Sequence, residues 1–355
     1  FITPNNAATS YQSLAVKYSA IEPPTWALLL AESVRAKGHS PIIIDTLARP
    51  VSDISIGETI AAAQPSMIVF VVYGQNVNAG STNMAGAVRL AEALKGMGLL
   101  APIGFVGSHL QALPKETLIK ESCIDFVCLN EGVYALSEAL DAEVAKVEDL
   151  VGISGLAVRI DGDIIFTGPA KVVPNERMDI DMPGYAWDLL PFDKEPLDLY
   201  RAPYWHAEYQ DEFRSPYAAL QTSIGCQFKC SFCMINLINK NDDEESSVAS
   251  NYSGMRHWSI DFVKKELSKL VSMNVKTIRI TDEMFLLNKK YYLPILEVLA
   301  DLNKDDDLKL WAYSRIDTVP SPEILKLVRK AGIRWLCLGI ESGDRAIRLE
   351  VAKGK

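Results

Sequence analysis

Apolar runs of strand length alternate with helical patterns along the first 150 residues. Strands are predicted at Phe1–Pro4, Pro41–Asp45, Met67–Tyr73, Ile103–Val106 and Ile124–Cys128, and helices at Trp26–Lys37, Met84–Lys95 and Val133–Leu140. Continuous apolar strands separated by helices indicate a parallel sheet covered on both faces, which is the doubly wound α/β arrangement. Sheets of this kind bind ligands beyond the carboxyl ends of their strands.

The pattern changes after residue 150. Residues 151–170 predict a small hairpin, because two apolar runs flank the turn-forming pair Asp161-Gly162. Residues 171–217 are rich in Pro, Asp, Tyr and Trp without a clear period. We therefore predict one domain over residues 1–150 and a hairpin with a connecting segment over residues 151–217.

A second alternating series begins at Ala218 and runs to the end of the chain. Strands are predicted at 218–223, Lys276–Thr281, Lys309–Tyr313 and Trp335–Ile340, and helices at Ser259–Met273, Tyr291–Leu302, Ser321–Ala331 and from Asp344 onward. Four strand–helix units in series predict a complete or partial (β/α) barrel over residues 218–355. The charged stretch within residues 236–256 is expected to be an exposed insertion.

Composition and charge narrow the possible functions. The 355 residues are 48% hydrophobic and 23% charged, as in a soluble globular protein. A net charge of -9 does not suit a nucleic-acid partner, and no apolar run is long enough for a membrane span. No secretory signal is visible, and the six cysteines do not resemble a disulfide framework, so we expect a reducing cytoplasm. Phe1 begins inside an apolar run, and Lys355 follows the start of a helix, so we expect a longer gene product.

Cys226, Cys230 and Cys233 form a Cys-x3-Cys-x2-Cys triplet directly after a predicted strand. Thiolates are the protein ligands of iron–sulfur clusters, and the short spacings let one loop surround a cluster. A structural zinc site or an electron-transfer cluster would need a fourth protein ligand, and the other cysteines lie on strands elsewhere. Three ligands leave one iron open to bind a substrate or a cofactor.

The triplet, the aromatic Phe232 before its third cysteine, and its position after the first barrel strand resemble the radical S-adenosylmethionine (SAM) family. The resemblance implies a [4Fe-4S] cluster on the three cysteines, SAM on the open iron, and a 5′-deoxyadenosyl radical as the reactive species. It also implies SAM contacts at the carboxyl ends of successive barrel strands. These contacts are Phe232, Asp282, Glu283, Arg315, Glu341 and Ser342, with Asp317 and Lys353-Gly354 as further matches to the family pattern.

Residues 1–140 resemble the cobalamin-binding domain that precedes the barrel in one large subclass of that family. The matches include Pro23-Pro24 before the first helix, Gly107-Ser108-His109 after the fourth strand, and Glu131-Gly132 after the fifth. The Asp-x-His-x-x-Gly motif, whose histidine ligates cobalt in other cobalamin proteins, is absent. Asn130 and Ser108 stand at two positions where the family commonly has Gly. The resemblance implies cobalamin contacts from Tyr73, Gln75, Asn76, Gly107, Ser108, His109, Glu131 and Gly132. His109 has a simpler interpretation, a hydrogen bond within its own turn.

The expected fold is therefore α/β: a doubly wound, Rossmann-like cobalamin-binding domain followed by a partial radical SAM (β/α) barrel. The resemblance favours a cobalamin-dependent radical SAM methyltransferase acting on an unactivated carbon, or on phosphorus, of a small molecule. A flavodoxin or ferredoxin would supply electrons. Alternatives are a cyclisation, rearrangement or oxidation with the same cofactors, a radical SAM enzyme without cobalamin, and an iron–sulfur electron-transfer or binding module without SAM chemistry.

Overall fold

The protein is described by a computed structural model, which covers residues 1–15, 19–49, 51–73, 77–144, 146–192, 199–202, 216–228, 230, 232–235 and 254–350. The chain divides into two compact units. The first unit comprises Phe1–Ser19, Trp26–Leu190 and Met234–Ser253, and the second comprises Ala20–Thr25, Pro191–Cys233 and Gly254–Lys355. Among the described residues, no helix has both the length and the hydropathy that crossing a membrane requires.

The first unit contains a seven-stranded sheet in the order β2-β1-β3-β4-β5-β6-β7. Its strands are β1 (Ile2–Thr3), β2 (Ile44–Asp45), β3 (Ile68–Val71), β4 (Ile103–Val106), β5 (Phe126–Cys128), β6 (Leu156–Ile160) and β7 (Asp163–Phe166). Its helices span Ala7–Tyr11, Thr25–Arg35, Asp53–Ala63, Met84–Gly96, Ser108–Ala112, Pro114–Lys120, Val133–Asp141 and Met178–Asp181. The first five strands are parallel, so the predicted doubly wound sheet is confirmed.

The core of this sheet follows from its apolar runs. Every residue of β3 and β4 is buried, and the rings of Phe70 and Phe105 lie 4.8 Å apart on paired positions. The helix Asp53–Ala63 was not predicted from the sequence, because its apolar residues are spread around the helix and do not form one clear face. Its start is nevertheless marked by Ser52, whose hydroxyl accepts a hydrogen bond from the Ser55 amide as an N-cap.

The hairpin expected within residues 151–170 is present as β6 and β7, but it belongs to the first sheet. Phe126 of β5 pairs with Val158 of β6 in antiparallel register. The backbone of β5 thus gains hydrogen-bonding partners on a side that would otherwise be a sheet edge. The compact first unit therefore extends beyond residue 150, to Leu190, through part of the predicted connecting segment.

The second unit contains a four-stranded parallel sheet in the order β13-β12-β11-β8 and a two-stranded antiparallel pair, β9 and β10. The strands are β8 (Tyr217–Leu220), β9 (Ser223–Ile224), β10 (Arg256–His257), β11 (Thr277–Ile280), β12 (Lys309–Arg315) and β13 (Ile333–Gly339). The helices span Ile260–Ser272, Lys289–Leu302, Pro322–Lys330 and Arg345–Glu350. Consecutive parallel strands joined by helices are the arrangement predicted for a partial barrel.

Side chains alternate along these strands, and one face of the second sheet is polar and aromatic. Tyr217 stacks on Trp311 with ring centres 5.5 Å apart, and the Arg279 guanidinium lies 4.9 Å from the ring centre of Tyr313. Glu22, in the segment Ala20–Thr25, binds this face. Its two carboxylate oxygens lie 2.6 and 2.8 Å from one Arg279 nitrogen, and Oε1 accepts a 2.8 Å hydrogen bond from the Tyr217 hydroxyl.

Candidate cofactor sites

The cysteine loop (residues 225–233) follows β9 in the second unit. It begins at Gly225, whose φ of +91° lies in the left-handed region that favours glycine. Cys226 and Cys230 are 7% and 5% exposed, whereas Cys233 is only partly buried. The Cys233 amide donates a 3.1 Å hydrogen bond to the Cys230 carbonyl, which turns the chain back within the loop.

The three thiols lie near one another. Burial raises the pKa of the Cys226 thiol to about 11, and the nearby Glu283, Cys233 and Cys230 raise this pKa further. Across the described residues, no three His, Cys, Asp or Glu side chains converge on a single metal-ion position. A cubane cluster takes one thiolate on each iron, so its ligands need not converge on one point. Three neighbouring thiols on one loop are a donor set that fits such a cluster.

Asp282, directly after β11, is fully buried and is hydrogen-bonded to the chain just before the cysteine loop. Its Oδ1 accepts a 2.6 Å hydrogen bond from the Thr222 amide. Its Oδ2 accepts two, each of 2.6 Å, from the hydroxyls of Thr222 and Ser223. Both oxygens of the predicted SAM contact are therefore occupied by protein donors.

Glu283, the next residue, has a different environment. Burial raises the pKa of its carboxyl to about 8, and the adjacent Asp282 raises this pKa further. The Oε2 atom of Glu283 is buried and has no hydrogen-bond partner in the described part of the chain. A cation bound beside this oxygen would stabilise the carboxylate and lower its pKa again. The free acceptor fits the amino group of a ligand such as SAM.

Arg315, at the end of β12, lies against the cysteine loop. Its guanidinium is 4.0 Å from the ring centre of Phe228, and it forms two 2.9 Å hydrogen bonds with the carboxylate of Asp317. Phe228 was not among the contacts predicted from the sequence, although it is an aromatic residue between the first two cysteines of the triplet. The predicted aromatic contact Phe232 is instead 47% exposed.

Glu341 and Ser342 follow β13 at the same end of the sheet as the cysteine loop. Glu341 is exposed and has a φ of +65°, which is uncommon for a residue with a side chain. The Ser342 amide donates a 2.8 Å hydrogen bond to the Ile340 carbonyl, and its hydroxyl accepts one from the Asp344 amide. These contacts form a turn that holds both residues beyond the strand end. Lys353-Gly354 lies outside the described residues.

The second candidate site is at the carboxyl ends of β3, β4 and β5 in the first unit. Gly107 follows β4, and a Cβ atom there would lie 2.1 Å from the Val72 carbonyl oxygen, so only glycine allows this close approach. Gln111, in the helix that follows, donates hydrogen bonds to the Tyr73 hydroxyl at 3.0 Å and the Asn130 carbonyl at 2.6 Å. The three strand ends are therefore joined by one side chain. Gln75 and Asn76 lie outside the described residues.

Three polar side-chain atoms near these strand ends are buried without a hydrogen-bond partner in the structure as described. They are Ser108 Oγ, Gln111 Oε1 and Asn130 Nδ2. Each such atom costs about 1–3 kcal/mol when it is left unpaired. Cobalamin carries peripheral amides that both donate and accept hydrogen bonds, so these atoms fit that group. Gln111 was missed by the sequence analysis, although it lies one helical turn after Ser108.

The other predicted cobalamin contacts have partners within the first unit. His109 Nδ1 lies 2.9 Å from the Ser81 hydroxyl, and burial lowers the pKa of its imidazole, which favours the neutral ring. The Glu131 carboxylate accepts a hydrogen bond from the Val173 amide, and the Glu131 carbonyl accepts one from Trp26 Nε1 at 3.1 Å. The Gly132 amide donates to the Asn130 side chain at 3.2 Å, which leaves only the amide nitrogen of Asn130 unpaired.

Comparison with known protein families identifies both halves of the chain. Residues 11–140 match the B12 binding domain, and residues 220–355 match the radical SAM superfamily. The two matches coincide with the two candidate sites described above. They place the chain among the cobalamin-binding radical SAM proteins.

Curated relatives cover almost the whole chain. The uncharacterized methyltransferase PH0819 of Pyrococcus horikoshii is 28% identical over 94% of this chain and 63% of its own length. The anaerobic magnesium-protoporphyrin IX monomethyl ester cyclase of Synechocystis sp. is 23% identical over 94% of this chain and 59% of its own length. The chain thus spans about three fifths of these relatives.

Solved structures share the fold. The radical S-adenosylmethionine methyltransferase TsrM from Kitasatospora setae, solved with cobalamin and a [4Fe-4S] cluster, has a TM-score of 0.66 at 16% identity. That match covers 98% of this chain and 61% of TsrM. The cobalamin-dependent S-adenosylmethionine radical enzyme OxsB has a TM-score of 0.61 at 17% identity, over 93% of this chain and 43% of OxsB. At these identities the likeness describes the fold.

Proposed function

We propose that this chain is the cofactor-binding part of a cobalamin-dependent radical SAM methyltransferase that acts on an unactivated carbon, or on phosphorus, of a small molecule. The observation that carries the proposal is the cysteine loop, with three neighbouring thiols close after the first strand of a parallel strand–helix series. The B12 binding domain match and the methyltransferase relative support cobalamin and methyl transfer.

In this proposal, Cys226, Cys230 and Cys233 hold the [4Fe-4S] cluster. Glu283 accepts a hydrogen bond from the amino group of SAM, because its buried Oε2 has no donor among the residues that the structure describes. Arg315 fixes one side of the loop through the Phe228 ring, and Glu341 and Ser342 form a wall of the SAM site beyond β13. The bound cofactors supply the radical chemistry and the methyl group, while these residues bind and orient them.

Cobalamin is proposed to bind at the strand ends of the first unit. Ser108, Gln111 and Asn130 offer it buried hydrogen-bonding atoms, and Gly107 keeps the approach between β3 and β4 free of a side chain. The neutral imidazole of His109, held by Ser81, contacts the periphery of the corrin. The Glu131 carboxylate supports the site indirectly, because it is hydrogen-bonded to the Val173 amide.

A second candidate function is a cyclisation with the same cofactors. It is favoured by one observation, the relative described as an anaerobic magnesium-protoporphyrin IX monomethyl ester cyclase. Both functions need an external one-electron donor such as a flavodoxin or ferredoxin. Both also need a reducing compartment, which we propose is the cytoplasm, and cysteines that do not form disulfides are consistent with this.

The test is anaerobic reconstitution of the longest gene product with iron, sulfide and hydroxocobalamin, followed by metal analysis and an optical spectrum. We expect about four irons, the content of one cubane cluster, and one tightly held corrin per chain. Incubation with SAM and a reductant should then yield 5′-deoxyadenosine, measured by chromatography. A cluster without bound corrin would remove methylcobalamin from the proposal, and a chain that takes up no iron would overturn it.

A further inference from the structure

We infer that Asp282 is a positioning residue that fixes the entry to the cysteine loop, and that it does not contact SAM. The inference rests on the proposed function, since it concerns how the chain prepares its cluster site. It separates two adjacent carboxylates that the sequence presents as one acidic pair: Asp282 holds the loop, and Glu283 is left to bind the ligand.

The Asp282 carboxylate is not accessible to a ligand. Asp282 has no exposed surface, and its three hydrogen bonds come from Thr222 and Ser223, which directly precede Ile224 and the cysteine loop. A carboxylate that already accepts three short hydrogen bonds has little capacity left for a SAM amino group. For SAM to reach it, these hydrogen bonds would have to break.

The three hydrogen bonds of Asp282 fix the chain just before the cysteine loop. Asp282 follows β11, whose register against β8 is set by four consecutive paired residues, from Thr277 with Tyr217 to Ile280 with Leu220. The direction in which the chain leaves β8 toward Cys226 is therefore tied to a rigid sheet.

Two other contacts hold the segment of residues 222–224. The Tyr291 hydroxyl lies 2.6 Å from the Thr222 carbonyl, and Ile224 pairs with Arg256 across the β9–β10 ladder. These contacts fix the main chain, whereas Asp282 also binds the hydroxyls of Thr222 and Ser223. Loss of the Asp282 carboxylate should leave the fold of the sheet intact and loosen the loop entry.

The experiment compares Asp282→Ala, Asp282→Asn and Glu283→Gln after anaerobic reconstitution with iron and sulfide. We expect Asp282→Ala to lose most of its iron, because the Thr222 amide and two hydroxyls lose their acceptor. Asp282→Asn should recover the iron content, since its oxygen can still accept from the Thr222 amide and both hydroxyls can rotate to accept from its NH2 group. The reduced cluster in Asp282→Asn should give the wild-type electron paramagnetic resonance spectrum.

Glu283→Gln should show the opposite behaviour, with full iron content and weaker SAM binding. Loss of a charged hydrogen-bond acceptor should raise the Kd for SAM roughly tenfold or more. The Kd is measured by equilibrium dialysis of the reconstituted protein with SAM. In Asp282→Asn the same measurement should give a Kd close to that of the wild type.

Asn303→Ala is the matched control for a general loss of stability. Asn303 is also buried in the second unit, and its side chain hydrogen-bonds the Leu308 amide and the Lys330 carbonyl, away from the cysteine loop. It should unfold more easily than the wild type but keep its iron. The inference is overturned if Asp282→Ala keeps its iron, if Asn303→Ala loses as much, or if Asp282→Asn keeps its iron but loses SAM. Failure of the wild type to take up iron would overturn the proposed function as well.

Discussion

The entry to the cysteine loop and the strand ends of the first unit differ in whether their buried polar groups are hydrogen-bonded. In the second unit, both carboxylate oxygens of Asp282 accept hydrogen bonds from the chain itself. In the first unit, buried polar atoms of Ser108, Gln111 and Asn130 have no partner within the described structure. Since unpaired buried atoms are costly and paired ones are not, the two regions are prepared for ligands in different ways.

The difference follows from the chemistry of the two proposed cofactors. An iron–sulfur cluster is held by a few thiolate bonds, so the protein must fix the path of the ligand loop. Cobalamin is large and brings its own amide donors and acceptors, so its site can contain protein atoms that become paired only when it binds. The predictions below test this comparison.

The largest effect is expected from Cys230→Ala. Cys230 is the middle thiol of the triplet, and a cluster with only two cysteine ligands should not persist. We expect near-complete loss of iron and of the cluster absorption, measured after anaerobic reconstitution. Cys337→Ala is the control, because Cys337 lies on β13 outside the loop, and it should keep a full cluster. A cluster that survives Cys230→Ala would exclude the proposed ligand set.

A smaller effect is expected at the polar face of the second sheet, where Glu22 and Arg279 form a buried ion pair. Glu22→Gln removes the charge that neutralises Arg279, and the side chain of Arg279 is only 5% exposed. Breaking a buried ion pair from one side costs about 3–5 kcal/mol, so we expect a loss of that size in the free energy of unfolding. Urea denaturation followed by fluorescence measures it.

The double variant Glu22→Gln with Arg279→Met is the control for this ion pair. It removes both charges, so it should recover much of the stability that the single change loses. If the single change costs as little as an exposed salt bridge does, the pair does not stabilise the second unit, and the contrast between paired and unpaired regions would be weaker than we propose.

The smallest effect is expected from Ser108→Ala in the first unit. The Ser108 hydroxyl has no partner among the described residues, so its removal should leave the unfolding free energy of the apo protein unchanged or slightly increased. If cobalamin forms a hydrogen bond with this hydroxyl, the Kd for hydroxocobalamin should rise by roughly fivefold. This change corresponds to the loss of about 1 kcal/mol of binding free energy, the contribution of one hydrogen bond. Optical titration of the apo protein measures this Kd.

Ser137→Ala is the matched control. Ser137 also carries a fully buried hydroxyl without a partner in the described part of the chain, but it lies inside the helix Val133–Asp141 rather than at a strand end. Its removal should leave the Kd for hydroxocobalamin unchanged. Equal effects of the two changes would mean that the unpaired atoms at the strand ends have no special relation to the cofactor.

Much of the fold was predictable from local patterns. The alternation of apolar strands with helices indicated the doubly wound sheet and the partial barrel, because strand and helix faces repeat at fixed short intervals. The cysteine triplet and the acidic pair Asp282-Glu283 were also visible, since each lies within a few residues of chain. Their placement at strand carboxyl ends followed from the predicted strand boundaries.

Other features depended on contacts between distant parts of the chain, and only the tertiary structure decided them. The sequence did not show that Glu22 pairs with Arg279, 257 residues away, or that β6 completes the sheet beside β5. Nor did it distinguish Asp282 from Glu283. The residue type shows only that a carboxylate is present at each position. How many hydrogen-bond donors surround it depends on which other parts of the chain lie beside it in the fold.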